Sequence, residues 1–208
     1  MISKRQPIDR LRDDVRILGG LVGEVLREQG GERLYNLVED LRVRAIRLRE
    51  QYDPASEREF SRIFDRLPTD QLAEIVRAYG IYFHVINLAE QNHRLRTIRE
   101  RERTGSPAPR RGSIADALAA VHQAGRPAGE VERVLGDFFV HPVLTAHPSE
   151  TRRRTVQQHL RVLGDLIARL DDPRAGLQDR RELMDTLRER ITLVWLTDEI
   201  RDVRPKPS

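Results

Sequence analysis

The chain has 208 residues, of which 38% are apolar, 34% charged and 5% aromatic, with a formal net charge of +4. Cysteine is absent, which excludes disulfide and thiolate chemistry, and no apolar run is long enough to cross a bilayer. Acids and bases are interspersed, with only Lys4 and Lys206 as lysines among the bases. No long basic block forms, and aromatics for base stacking are scarce, so a nucleic-acid binder is not expected.

Taken in order, Met1–Pro7 lacks the apolar core of a signal peptide, and a cytoplasmic protein is expected. Ile8, Leu11, Val15, Leu18, Val22 and Val25 recur at helical spacing and predict a helix from near Ile8 to Glu28, stopped by Gly30-Gly31. Leu34, Leu37, Val38, Leu41, Ala45 and Leu48 predict a second helix ending before Asp53-Pro54. Phe60, Ile63, Phe64 and Leu67 predict a short third. Pro68-Thr69-Asp70 resets the chain, with Thr69 or Asp70 as a cap. A long helix follows, with Leu72, Ile75, Val76, Tyr79, Phe83 and Ile86 assigned to its inner face, and it continues past His93. Polar residues three apart on such a helix, as Glu90 and His93 are, pair with each other or with a neighbouring helix, so His93 reads as structural.

Residues 104–112 have the composition of an exposed loop. They separate an N-terminal helical region, residues 1–103, from a second region, residues 113–208. Ser113, with Asp116 three residues on, starts a helix like a capping box, and Ile114, Leu118 and Val121 would form its inner face. Gly125-Arg126-Pro127 turns the chain into a segment carrying Val131 and Leu135.

Residues 138–146 then form a run rich in Phe, Val and Leu, which reads as a buried strand. From Pro148 the period becomes helical, with Val156, Leu160, Leu163, Ile167 and Leu170 on one side, ending at Asp171-Asp172-Pro173. His147 is thereby expected between a strand end and a helix N-terminus, where free N–H groups, a positive dipole end and nearby arginines suit an anion. A last helix is expected from about Leu177 to Val203, with Leu183, Leu187, Ile191, Val194, Trp195 and Ile200 mostly inward.

Three segments resemble phosphoenolpyruvate carboxylases. Thr145-Ala146-His147-Pro148-Ser149-Glu150, with Arg153, Arg154 and Thr155, is similar to the family's Thr-Ala-His-Pro-Thr-Glu segment and its following arginine pair, with Ser149 in place of Thr. Leu88-Ala89-Glu90-Gln91-Asn92-His93-Arg94 resembles a segment of an N-terminal helix. Trp195-Leu196-Thr197-Asp198-Glu199-Ile200-Arg201, followed by Arg204-Pro205-Lys206-Pro207, resembles a third.

The resemblance implies a mostly α fold: an N-terminal helical region plus an early strand-helix unit of a (β/α)8 barrel, with His147 at the strand's C-terminal end, where barrel active sites lie. It implies bicarbonate attack on phosphoenolpyruvate, breakdown of carboxyphosphate, and carboxylation of the enolate to oxaloacetate. His147 is the implied catalytic residue, taking a proton from carboxyphosphate. Arg153 and Arg154 either bind the anionic substrate or pair structurally.

The family's metal carboxylates, its glycine-rich loop and its second histidine have no counterpart in the chain. Mg2+ or Mn2+ would therefore be held by parts not represented here, and no metal ligand is assigned in this chain. The chain is expected to be the N-terminal piece of a carboxylase, inactive alone, whether as a truncated gene product, the first half of a split gene or an incomplete sequence. The family's homotetramer would need the remaining portion. The competing reading is a helical scaffold or interaction protein without chemistry, in which His147 is buried and paired.

Overall fold

The computed structural model describes residues 7–104, 108–143 and 152–199. Among them are seven helices and no strand: α1 (Pro7–Glu50), α2 (Pro54–Asp65), α3 (Thr69–Arg103), α4 (Ile114–Gln123), α5 (Ala128–Asp137), α6 (Arg154–Arg169) and α7 (Leu177–Trp195). They fall into two compact units. One holds the described parts of Met1–Leu95 and Thr151–Ser208, the other those of Arg96–Glu150.

In the first unit, α1 is broken at Gly31, whose φ of 82° and ψ of 165° only glycine adopts without strain. The break falls where Gly30-Gly31 predicts it. Leu18, Val22 and Val25 on one arm and Leu34 and Leu41 on the other are buried. Asp53 caps α2 by accepting the N–H groups of Ala55 at 3.3 Å and Ser56 at 2.9 Å, with Pro54 at the first helical position. The α3 helix already includes Thr69, so the chain enters it at Pro68, whose carbonyl receives the Leu72 N–H.

Helices α6 and α7 pack on each other, and α7 also packs on α1. Leu163, Ile167, Leu187 and Ile191 sit at the centre of the core, each 1% exposed or less. Asp179 folds back to accept the Gly176 N–H at 2.7 Å, which starts α7 where the sequence predicts. On α3 the buried stripe is Ile75, Ala78, Ile81, Val85, Ala89 and Asn92. Val76 and Phe83, assigned inward from the sequence, are exposed. Both lie on the side of the helix away from this stripe, and a helix with apolar residues around much of its circumference gives no local sign of which face is covered. Asn92, 5% exposed, donates from Nδ2 to Asp171 Oδ2 at 3.0 Å and ties α3 to the end of α6.

In the second unit, Ser113 Oγ accepts the Asp116 N–H at 3.1 Å, as predicted. Asp116 reaches back to the Gly112 N–H at 2.8 Å instead of to Ser113. Neither α4 nor α5 has a buried residue. Ile114 and Leu118, expected inside, are exposed, and so is Leu135 on α5.

The strand expected over residues 138–146 is not formed in its described part, 138–143, and residues 144–146 lie outside the described residues. Phe138 has extended angles, φ −87° and ψ 126°, but extended backbone becomes a strand only by pairing its N–H and C=O groups with another strand. None is present among the described residues.

Two helix boundaries also differ from expectation. Arg152 and Arg153 precede α6 in non-helical conformation, so this helix does not reach back to Pro148. Arg153 occupies its N-cap position. The last helix stops at Trp195 and not near Val203. Thr197 Oγ1 donates to the Leu193 carbonyl at 2.6 Å there, and the Leu196 N–H returns to Thr192. His147 and Ser149 lie outside the described residues.

Candidate functional site

The two stretches that flank the α6–α7 hairpin meet at its base. The Arg153 N–H donates to the Glu199 carbonyl at 2.8 Å, and Arg152 Nε donates to Glu199 Oε1 at 2.8 Å. Glu199 Oε1 also lies 2.8 Å from His84 Nε2 on α3. An ionised carboxylate only accepts, so Nε2 carries the shared proton. His84 has a side chain only 17% exposed. Burial pushes the Glu199 carboxyl up, but the bonds and charges of His84 and Arg152 together outweigh it and hold the group below the usual glutamate range.

One turn before His84 on α3, Gly80 faces the same carboxylate: a Cβ there would stand 3.8 Å from Glu199 Oε2, an ordinary van der Waals contact. Beside this group is a second, more exposed one. Arg77 Nη2 donates to Asp198 Oδ1 at 2.7 Å, and Arg77 Nη1 donates to the Trp195 carbonyl at 3.3 Å. That carbonyl belongs to the last turn of α7, where no intrahelical N–H is left and a cation is favoured. Arg153 Nη2 stands 3.9 Å from Asp198 Oδ2. Its Nε is buried with no hydrogen-bond partner among the described residues.

The predicted residues are therefore distributed as follows. Arg153 is at the N-cap of α6 and paired with Asp198, and Arg154 is exposed at the first helical position. The Thr197-Asp198-Glu199 motif is brought against the arginines that follow the histidine motif. His93 is half-buried on α3 and Glu90 is exposed. The sequence reading missed Arg77 and His84. The only local signal was a histidine set among the apolar residues Tyr82, Phe83 and Val85, which does not separate a functional group from a packed one.

Among the described residues no three His, Asp or Glu side chains converge as metal ligands, so these residues do not fit a divalent-cation site. Nor is any helix long and apolar enough to cross a membrane. Two cavities lie away from the Glu199 group. One of about 510 Å3 sits at the α6–α7 turn beside Asp172 and Asp179. Another of about 490 Å3 is lined by Tyr35, Tyr79 and Tyr82 against the glycines of α1.

Residues 11–208 match the family model described as phosphoenolpyruvate carboxylase. Relatives bearing that name include one from Roseiflexus castenholzii, 38% identical over 98% of this chain and 22% of its own length. Another, from Azorhizobium caulinodans, is 36% identical over 96% of this chain and 21% of its own. A third, from Ralstonia nicotianae, is 35% identical over 97% and 20%. The chain spans about a fifth of the length of the curated relatives it matches.

Proposed function

The chain belongs to the phosphoenolpyruvate carboxylase family, and we propose that it supplies the N-terminal part of a cytoplasmic, homotetrameric enzyme that carboxylates phosphoenolpyruvate with bicarbonate, giving oxaloacetate and phosphate. In this reading His147 takes the proton from carboxyphosphate and Arg153 and Arg154 bind anionic oxygens of the substrate. The observation that supports it is the convergence at Glu199. Segments far apart in the sequence, each resembling a carboxylase segment, close on one another in the fold.

Arg153 and Arg154 are suited to their role by position. They stand at the N-cap and first residue of a 16-residue helix whose N-terminal end has no side-chain cap. The dipole and the free N–H groups there favour negative charge. Mg2+ or Mn2+ belongs to the portion of the enzyme that this chain does not represent, and no step is assigned to it here.

The second unit supports the same reading. Phe138, Phe139, Val140 and Val143 follow α5 as a succession of exposed apolar side chains. A parallel barrel strand needs partners on both edges and cover on both faces, so such a run fits a strand awaiting its neighbours. On its own the chain is then inactive.

The test measures oxaloacetate formation from phosphoenolpyruvate, bicarbonate and Mg2+, by the 208-residue chain and by the same chain fused to the remaining four-fifths of the Roseiflexus castenholzii relative. The expected result is no turnover from the chain, turnover from the fusion, and collapse of that turnover in a His147→Asn fusion with unchanged helicity. Near-normal turnover in His147→Asn refutes the assigned role. Turnover from the chain alone refutes its dependence on the missing portion.

A further inference from the structure

Glu199 is the point where three separate parts of the chain are tied. Its side chain takes a hydrogen bond from Arg152 and one from His84, and its backbone carbonyl takes the Arg153 N–H. All three contacts are 2.8 Å long, and the partners lie 115 and 47 positions away for the side-chain bonds. Arg153 has no side-chain cap to hold the start of α6, so this grip replaces one.

We propose that Glu199, held by His84, is a positioning residue that fixes Arg152 and the N-cap of α6 against α3 and so sets where Arg153 and Arg154 present their guanidinium groups.

The physical argument runs through what each group would do without the others. Arg153 and Arg154 are long side chains, and their ability to bind an anion depends on where the backbone beneath them stands. The backbone of Arg152 and Arg153 precedes α6: the Arg153 carbonyl accepts the Gln157 N–H at 3.2 Å, but the N–H on its other side finds its partner outside the helix, at Glu199. Glu199 accepts one hydrogen bond from the main chain and one from the Arg152 side chain. The Arg152 guanidinium is thereby engaged by a carboxylate at 2.8 Å, while Arg153 makes only the longer 3.9 Å approach to Asp198 and Arg154 is exposed.

His84 matters because Glu199 follows the end of α7, beyond the last helical hydrogen bonds. The imidazole, mostly buried on a helix packed into the core, gives the carboxylate a fixed point. Charged groups around the pair are Arg152 on the α6 side, and Arg77, Asp198 and Arg153 in the adjoining group. A charge-assisted bond of this kind is stronger than a neutral one, but Glu199 is 40% exposed, and solvent reduces its worth to global stability. Its effect is therefore expected to be local.

The inference rests on the carboxylase reading only for its consequence in catalysis. The positional part is tested without it. In the 208-residue chain, amide hydrogen exchange at Arg153 is measured for wild type, Glu199→Ala, Glu199→Gln and His84→Ala. Exchange at Arg153 should speed up at least tenfold in Glu199→Ala and His84→Ala and less in Glu199→Gln, which keeps an acceptor. Ile191 in α7 should keep its protection. Unchanged exchange at Arg153 in both alanine variants overturns the proposal, as does an equal loss of protection at Ile191, which means general unfolding.

In the fusion with the Roseiflexus castenholzii portion, Glu199→Ala should raise the KM for phosphoenolpyruvate at least tenfold while kcat falls less, with Glu199→Gln between it and wild type. A fall in kcat alone, at constant KM, signals fewer folded molecules and overturns the link to substrate binding. An inactive wild-type fusion counts against the carboxylase reading, and the exchange data still decide whether Glu199 positions the segment.

Discussion

Every buried residue among those described belongs to the first unit, and none belongs to the second. Both units are built from helices with apolar positions at helical spacing, so periodicity does not explain the contrast. The first unit has long helices that cover one another. Leu163 and Ile167 from α6 join one core cluster with Leu187 and Ile191 from α7 and with residues of α1 and α3. The second has two ten-residue helices, each too short to be stable without tertiary packing, and both show apolar side chains to solvent. Amphipathic pattern sets which face wants cover; a core appears only where another element supplies it.

The contrast breaks most sharply under truncation of core side chains. Leu187→Ala removes a side chain that is 0% exposed, and such changes cost about 2–5 kcal/mol. Leu135→Ala, at an exposed position of α5, should stay within about 0.5 kcal/mol. Urea unfolding of the two variants measures both. Similar losses in the two would mean that the second unit has a core after all.

A smaller effect is expected at the break of α1. Gly31→Ala must place a side chain at φ 82° and ψ 165°, a backbone conformation worth about 1–3 kcal/mol of strain for other residues. No atom stands within 4 Å of the added Cβ, so any loss comes from the backbone. A midpoint of urea unfolding equal to wild type would show that the two arms can merge into one continuous helix.

In the second unit, stability is local, and so a cap should matter more there than burial. Ser113→Ala removes the acceptor for the Asp116 N–H, at about 1 kcal/mol. The expected outcome is fraying of α4 in backbone chemical shifts with no change in the unfolding midpoint of the first unit. A lowered midpoint would show the two units unfolding together.

The smallest effect is electrostatic. Asp172, at the α6–α7 turn, is held at a pKa of about 2 by its bonds to the Arg174 side chain and N–H. Its folded value lies below the ordinary 3.8, so the stabilisation is complete above that pH and is lost as pH falls through about 2. NMR titration of the Asp172 carboxyl should give a midpoint near that value, and Arg174→Ala should move it back towards 3.8.

Much of the first unit was legible in the sequence because its signals are local. Gly30-Gly31 breaks α1, the helix that follows the break ends before Asp53-Pro54, and the last helix starts at Leu177. What failed depended on distant partners. The run at Phe138–Val143 has strand composition, yet pairing needs a second strand that composition cannot announce. Pro148 is a fair sign of a helix start, but α6 begins at Arg154, after Arg152 and Arg153 have been drawn to Glu199. His84 and Glu199 are 115 positions apart, and no spacing rule connects them.

The hydrogen bond from the Arg153 N–H to the Glu199 carbonyl also has a topological consequence. It makes the α6–α7 hairpin a loop whose entry and exit points coincide, closed at the base and free at the Asp172–Gly176 tip. Lengthening the tip leaves the closure where it is, and each doubling of a flexible loop adds only about 0.6 kcal/mol. An insertion in this chain is therefore expected to cost least there. A break at the base, by contrast, releases both ends of the hairpin together.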